Sequence, residues 1–285
     1  MLKMRSIMYI PGNRPEYISN IPNLKADVFM LDVEDSVPEN EKQTARENIG
    51  EYLEYYSGYV RINGWSTGLT NQDLNYVVRK GLLGVCLTKC GEVGEVKELD
   101  TRLYAMESAR GIDPGTIKVQ LLIETAKAIM NVYRLALSSE RVNSLVFGVV
   151  DYTTDMGIPL NQPNGVEYEY ARQIVACAAI AANVIPVDSP YMKIKDTNGF
   201  VEDTKHSIAL GYRGRLAIHP AQIELENEFY SPSKESVAWA REIVAAFEAD
   251  GLNNKKAAIS YKGEMIATAV YNNARKILKY NETFQ

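Results

Sequence analysis

Short apolar, β-branched runs recur along the chain, each followed by enough residues for a helix. Eight stand out: Ser6–Pro11, Val28–Glu34, Tyr59–Asn63, Gly84–Lys89, Lys118–Thr125, Val142–Asp151, Asn183–Pro190 and Arg213–Pro220. Their hydropathy is continuous rather than alternating, as in parallel strands covered on both faces. The segments between them carry the helical period. Ala45, Ile49 and Leu53 recur at four-residue steps after Pro38, a residue suited to a first helical turn. Leu74, Val77 and Val78 mark a second helix, capped by Asn71 or Asp73, and Ile129, Val132, Tyr133 and Ala136 a third. Tyr170–Ala182 is nearly all apolar, so burial on more than one of its faces is expected. Eight strand-then-helix units predict an α/β fold of the (β/α)8 TIM barrel type. The alternative is an open doubly wound sheet, but a GxGxxG after the first strand is missing.

Beyond the eighth run the pattern changes. Ser233–Asp250 predicts one long helix with Val237, Ala240, Ile243, Val244 and Phe247 on a face. A Gly/Asn/Lys break from Gly251 to Lys256 and a final helix near Val270–Tyr280 follow. The expected organisation is a barrel over residues 1–230 and a C-terminal helical extension over 231–285. The extension belongs to the same domain and serves as a lid or an intersubunit arm.

At 285 residues the chain suits one barrel, for which roughly 250 residues is typical. A formal charge of −5 provides no basic field, which argues against nucleic acid as a partner. Cys86, Cys90 and Cys177 are too few for a disulfide framework and form no CxxC, so a reduced, cytoplasmic setting is expected. The N-terminal apolar run stops at Pro11, too early for a secretory leader, and nothing approaches the roughly 18 apolar residues of a membrane span.

Active sites of parallel barrels lie at the carboxyl ends of the strands, so the polar residues that end these runs matter most. They are Asp32, Glu34 and Asp35, then Arg61 and Asn63, Lys89, Glu124, Asp151, Asp188 and His219. Any one of them could be a solvated end or a helix cap; their convergence on one rim is harder to explain that way. Glu124 and Asp151 end adjacent strands and can face one point. Two carboxylates, completed by water and a chelating substrate, make an oxygen-ligand site for Mg2+, with Mn2+ as a substitute. Only two histidines exist, His206 and His219, which excludes a His-rich zinc site and argues against a Ser-His-Asp triad. His206 falls on a predicted helix as a structural or solvated residue.

The ordered landmarks extend over nearly the whole chain. They begin with Arg5-Ser6, Tyr9-Ile10-Pro11-Gly12-Asn13-Arg14, Leu31-Asp32-Val33-Glu34-Asp35-Ser36-Val37 and Val60-Arg61-Ile62-Asn63. Thr88-Lys89, Ile123-Glu124-Thr125, Phe147-Gly148-Val149-Val150-Asp151 and Ile218-His219-Pro220 follow. In these the chain resembles the citrate lyase β-subunit-like proteins, within the HpcH/HpaI-type aldolases and malyl- or citramalyl-coenzyme A lyases. The resemblance implies a homotrimeric barrel that holds Mg2+ through Glu124 and Asp151. It also implies substrate contacts from Arg61, from the Gly148-Val149-Val150 stretch and from Arg14, and an acidic catalytic loop at Glu34 and Asp35. Asp32, Lys89, Asp188 and Glu264 are further candidates, with a purely structural role for Asp32 as the alternative. The implied reaction splits a citramalyl-, malyl- or citryl-type thioester, on coenzyme A or an acyl carrier, into an acetyl-type thioester and a 2-keto acid. One departure stands out: Gly263-Glu264-Met265-Ile266-Ala267 carries alanine where lid-bearing relatives have the aspartate of a GKMID-like stretch. An aldolase acting on a free 2-keto acid and a non-catalytic barrel subunit are the competing readings.

Overall fold

The computed structural model describes residues 3–160, 165–252 and 257–284. Eight parallel strands run in the order expected: β1 (Ser6–Pro11), β2 (Val28–Asp32), β3 (Gly58–Ile62), β4 (Leu82–Leu87), β5 (Lys118–Ile123), β6 (Val142–Phe147), β7 (Ile185–Val187) and β8 (Arg215–Ala217). Interleaved with them are α1 (Pro15–Ser19), α2 (Lys42–Tyr55), α3 (Thr70–Val77), α4 (Val93–Ala109), α5 (Ala126–Ala136), α6 (Val149–Met156), α7 (Glu169–Ala181), α8 (Thr197–Ala209) and α9 (Pro220–Phe229).

From β1 to β7 each strand pairs with its sequence neighbours, and β1 also pairs with β8. The seam between β7 and β8 is closed by a parallel bridge between Asp188 and Arg215. There Asp188 N–H donates to Gly214 O at 2.8 Å and Leu216 N–H to Asp188 O at 3.0 Å. Every strand sends a side chain to a common interior: Ile7, Met30, Tyr59, Cys86, Leu122, Val146, Val187 and Leu216, all buried. The residues between them, such as Leu31, Val60, Val85, Leu121 and Leu145, are also buried. Both faces of each strand are therefore covered, which is why the runs are not alternating. Each such aliphatic side chain contributes about 1.5–3 kcal/mol.

The strands are shorter than the apolar runs, because the ladder ends where a neighbouring strand no longer supplies a partner. The residues beyond become caps. Thr125 caps α5, accepting from Ala128 N–H at 3.1 Å, and Gly148 precedes α6. Asp151 accordingly lies in the first turn of α6 and not at the end of β6. Pro38 precedes a short 3-10 turn, Glu39–Glu41, rather than opening α2. Asp73 is no cap: it is fully buried inside α3, where its carboxylate accepts from Arg46 Nε and Asn63 N–H. In α7 the buried face is Ala171, Arg172, Val175, Ala176, Ala178 and Ala179, whereas Tyr170 and Ile180 are exposed, so the burial expected on several faces is confined to this stripe.

Glu226 on α9 is fully buried, and neither of its carboxylate oxygens has a hydrogen-bond partner among the described residues. Burial pushes its carboxyl well above the usual range, only partly offset by the charge of Arg215. Because the folded-state value is raised, the unfolded chain loses this proton first as pH climbs. The contribution of Glu226 is complete below the ordinary carboxylate range, about pH 4.3, and declines as pH rises through the folded value. Glu226→Gln should flatten that decline. Urea titrations should find the variant more stable than the parent at pH 7 and lacking that advantage at pH 4.

The chain divides into two compact units, one comprising Met4–Asn227 and the other Glu228–Gln285 with Met1–Lys3. In the second, α10 (Lys234–Ala246) is capped by Ser233 and runs into a π-helical turn, Phe247–Leu252. An antiparallel hairpin, β9 (Ala258–Tyr261) with β10 (Glu264–Ala267), precedes α11 (Thr268–Glu282). The pattern of apolar residues predicts only helices here. The hairpin turn is made by Lys262 and Gly263, both at positive φ (50° and 83°). Ala240, Ile243, Phe247, Ile259, Ile266, Tyr271 and Ala274 form this unit's own core. Of the break expected at Gly251–Lys256, residues 253–256 lie outside the described residues.

Candidate active site

A cavity of about 730 Å³ opens at the carboxyl ends of the strands, lined by Tyr9, Asp32, Arg61, Glu124, Asp151 and His219 among others. Its acidic side is built by the loop after β2. Lys42, buried on α2, donates to Val33 O at 2.9 Å and Glu34 O at 3.0 Å, and Asn63 Nδ2 donates to Val33 O at 3.0 Å. The loop is thereby held against β3. Asp32 is fully buried and accepts from Arg61 Nε at 2.7 Å, from Arg61 Nη2, from Ser36 Oγ and from Glu34 N–H at 2.9 Å. Burial alone would raise its pKa, but the Arg61 charge and these donors bring it below the usual carboxylate range.

Arg61 is thus fixed from below by Asp32 and from the side by Glu34, whose Oε2 lies 3.2 Å from Nη1. Its guanidinium carbon sits 4.8 Å from the centre of the Tyr9 ring. The Tyr9 hydroxyl is buried and has no hydrogen-bond partner among the described residues. In the sequence Tyr9 stands only as a landmark of the first strand. The signal available was its place on the inward side of β1, two residues after Ile7.

Glu124 follows β5 and is 2% exposed; its Oε1 accepts from Lys89 N–H at 2.8 Å. Space beside it depends on Gly148, since a Cβ there would come within 2.6 Å of Glu124 Cβ and 2.9 Å of Oε2. Asp151 is about one-third exposed on the first turn of α6. Lys89 Nζ lies 2.8 Å from Glu34, 3.1 Å from Asp35 and 3.8 Å from Asp151. Burial, followed by the Asp151 and Glu34 carboxylates, raises Glu124 well above its ordinary pKa. Glu34 is also raised, chiefly by burial, with Arg61 and Lys89 opposing.

Five carboxylates (Asp32, Glu34, Asp35, Glu124 and Asp151) thus face two cations, Arg61 and Lys89. Glu124 is the group left short of positive charge. A hard oxygen-donor set with a charge deficit, beside a position where only glycine fits, suits a hard divalent cation. Among the described residues no three His, Cys, Asp or Glu side chains are placed to hold a metal by themselves. The pair Glu124 and Asp151 would leave the remaining positions to water and substrate, as Mg2+ sites commonly do.

Gly148, Val149 and Val150 line the cavity at the start of α6, where the first N–H groups of a helix lack intrahelical partners. His219 is exposed on the cavity wall, with Nδ1 accepting from Ala221 N–H at 3.2 Å. His206 is on α8 and pairs with Glu169 at 3.0 Å. Three candidates fall elsewhere. Arg14 is exposed at the start of α1 and outside the cavity lining. Asp188 is fully buried in an ion-pair network with Arg172 and Arg215 and does not reach the cavity. Glu264 is exposed on β10, in the C-terminal unit.

Residues 5–220 match the HpcH/HpaI aldolase/citrate lyase family. The citrate lyase subunit beta of Leuconostoc mesenteroides subsp. cremoris is 31% identical over 280 residues, covering 96% of this chain and 92% of the relative. The L-malyl-CoA/beta-methylmalyl-CoA lyase of Cereibacter sphaeroides is 31% identical over 302 residues, covering 98% and 94%. Among solved structures, protein CitE from Mycobacterium tuberculosis, in complex with magnesium, acetoacetate and coenzyme A, aligns with a TM-score of 0.80. It is 26% identical, and 98% of each chain is covered. With the strand order, the cavity and these matches in agreement, the chain belongs to the HpcH/HpaI aldolase/citrate lyase family.

Proposed function

We propose that this protein is a Mg2+-dependent carbon–carbon lyase. It cleaves a β-hydroxyacyl thioester of the citramalyl-, malyl- or citryl type into an acetyl-type thioester and a 2-keto acid. The observation that carries this is the grouping of Glu124 and Asp151 with a rigidly held Arg61 at one end of the cavity. Lyases of citrate and malyl-coenzyme A among the relatives support it, as does the magnesium, acetoacetate and coenzyme A in the M. tuberculosis structure.

Glu124 and Asp151 would hold the ion. When bound, it supplies Lewis-acid polarisation of the substrate's hydroxyl and carboxylate oxygens. The rest falls to side chains of this chain. Arg61, immobilised by Asp32 and Glu34, offers fixed positive charge to the oxygen on which the carbonyl develops, without reorganisation during the reaction. The N–H groups at the start of α6, at Val149 and Val150, suit the carboxylate of the 2-keto acid. Glu34, with Asp35 beside it, accepts the hydroxyl proton. As the carbon–carbon bond breaks, its electron pair passes to the thioester enolate, whose carbon then takes up a proton. Burial raises Glu34 above its ordinary carboxylate value, which suits it to hold that proton. The apolar wall of Tyr17, Leu24, Met192 and Ile218 suits the acyl thioester arm, carried on coenzyme A. A homotrimer in a reduced cytoplasm, with Mn2+ able to replace Mg2+, completes the proposal; the three cysteines are all free thiols. Arg14 is not needed for it.

Citramalyl-, malyl- and citryl-coenzyme A should be offered with Mg2+, scoring pyruvate, glyoxylate and oxaloacetate. One of the three is expected, and EDTA should remove it. Silence on all three from a protein that binds Mg2+ sinks the proposal. Ala267 favours a second reading, a barrel subunit without turnover, and that outcome would establish it.

A further inference from the structure

Lys89 reaches four of the five acids at the site, the metal pair among them. Its N–H donates to Glu124 Oε1 at 2.8 Å, while its Nζ lies 2.8 Å from Glu34, 3.1 Å from Asp35 and 3.8 Å from Asp151. The backbone is shaped for this. Lys89 has φ of 52°, in the left-handed region that non-glycine residues avoid. That conformation aims its N–H at one carboxylate and its side chain back across three others. Strained positions of this kind gather where the geometry serves a site.

We propose that Lys89 is a tethered counter-cation to these acids that competes with the divalent ion for Asp151, and so sets how tightly the site takes metal. This rests on Glu124 and Asp151 being the metal pair. The ammonium and a divalent cation would share Asp151 and the negative field of the acids around it. With Nζ 3.8 Å from Asp151, an ion on Asp151 would be a near neighbour of like charge. In the metal-free protein Lys89 keeps the acids from repelling one another. When metal enters, Nζ withdraws toward Asp35, whose side chain is 51% exposed and offers a hydrated resting place. Metal loading is then an exchange of one cation for another, and its affinity is held below what the bare carboxylates would give.

The test is calorimetric titration of Mg2+ into the parent, Lys89→Met, Lys89→Asn and Lys89→Arg, with thermal scans in EDTA and in Mg2+. Asparagine tolerates the left-handed conformation, so Lys89→Asn guards against a variant that fails for backbone reasons. Lys89→Met and Lys89→Asn should bind Mg2+ about tenfold or more tightly than the parent, as removal of a nearby unit charge implies. Both should melt below the parent in EDTA and recover most of the difference in Mg2+, while Lys89→Arg should keep parental affinity. Parental or weaker binding by both neutral variants overturns the competition. If the parent takes up no Mg2+, the metal pair itself is wrong and the proposal falls with it. If the parent binds and Glu124→Gln does not, the pair stands and the Lys89 comparison alone decides.

Discussion

Glu124→Gln is expected to abolish Mg2+-dependent cleavage and, at the same time, to raise the melting temperature of the metal-free protein. The two effects share one cause. Glu124 is 2% exposed, crowded by the Asp151 and Glu34 carboxylates, and its one hydrogen-bond donor among the described residues is the Lys89 N–H. A negative charge in that position is a cost to the fold that Arg61 and the Lys89 N–H offset in part and a bound cation would offset further. Glutamine has nearly the same shape, still accepts from Lys89 N–H, and carries no charge. Removing the ligand should forfeit several kcal/mol of electrostatic stabilisation, a loss of about 10³-fold in kcat/KM. Removing the buried charge should stabilise the EDTA-treated protein by about 1–2 kcal/mol. Asp151→Asn, at a position one-third exposed, should show the same loss of activity with a smaller thermal gain. Steady-state assays and calorimetric scans with EDTA check both halves. A glutamine variant that keeps its activity, or that melts below the parent in EDTA, means that Glu124 serves the fold rather than a metal.

What the sequence made visible follows from what each residue's signal depends on. The eight strands were legible because burial on both faces leaves an uninterrupted apolar run, and Ile7, Met30, Cys86 and Leu216 carry that signal without knowledge of their neighbours. Strand ends were not, since they depend on whether the adjacent strand still offers a partner. Asp151 therefore belongs to α6, although the end of the barrel and the cavity it faces are as expected. Asp73 has the letter of a helix cap, but Arg46 and Asn63, distant in sequence, give it its place. The hairpin β9–β10 escaped because its turn rests on positive φ at Lys262 as well as at Gly263. In the same way, the position of Lys89 at the rim was foreseeable, but the left-handed backbone that lets it touch four acids was not. Tyr9 went unassigned because a tyrosine on an inward strand position reads as core until Arg61 is seen above it. Asp188 erred in the opposite direction. A charge at a strand end suggested the site, whereas its partner on α7, Arg172, turns it into part of the wall.

That wall should show the largest loss of stability outside the site. Arg172 is about 1% exposed on its side chain, donating from Nε to Asp188 at 3.0 Å and from Nη1 to Asp203 at 2.9 Å. Arg215 reaches the same two carboxylates, so two buried arginines balance two acids. The backbone of Asp188 also bridges β7 and β8, so the network sits on the seam that closes the barrel. Arg172→Met would leave two acids facing one arginine in a dry setting. Breaking a buried pair from one side typically costs about 3–5 kcal/mol, which for a chain of this length lowers Tm by about 10 °C. The stranded charge, rather than the lost packing, should be the cause, because methionine refills much of the volume. Arg172→Met/Asp188→Asn, which removes the orphaned charge as well, should therefore be more stable than Arg172→Met alone. Urea titration of the four proteins in the cycle measures this directly. A double variant no better than the single would mean that Arg172 acts by packing. If the charge is the cause, amide exchange at Asp188 and Leu216, which bond across the seam, should quicken in Arg172→Met and slow again in the double variant.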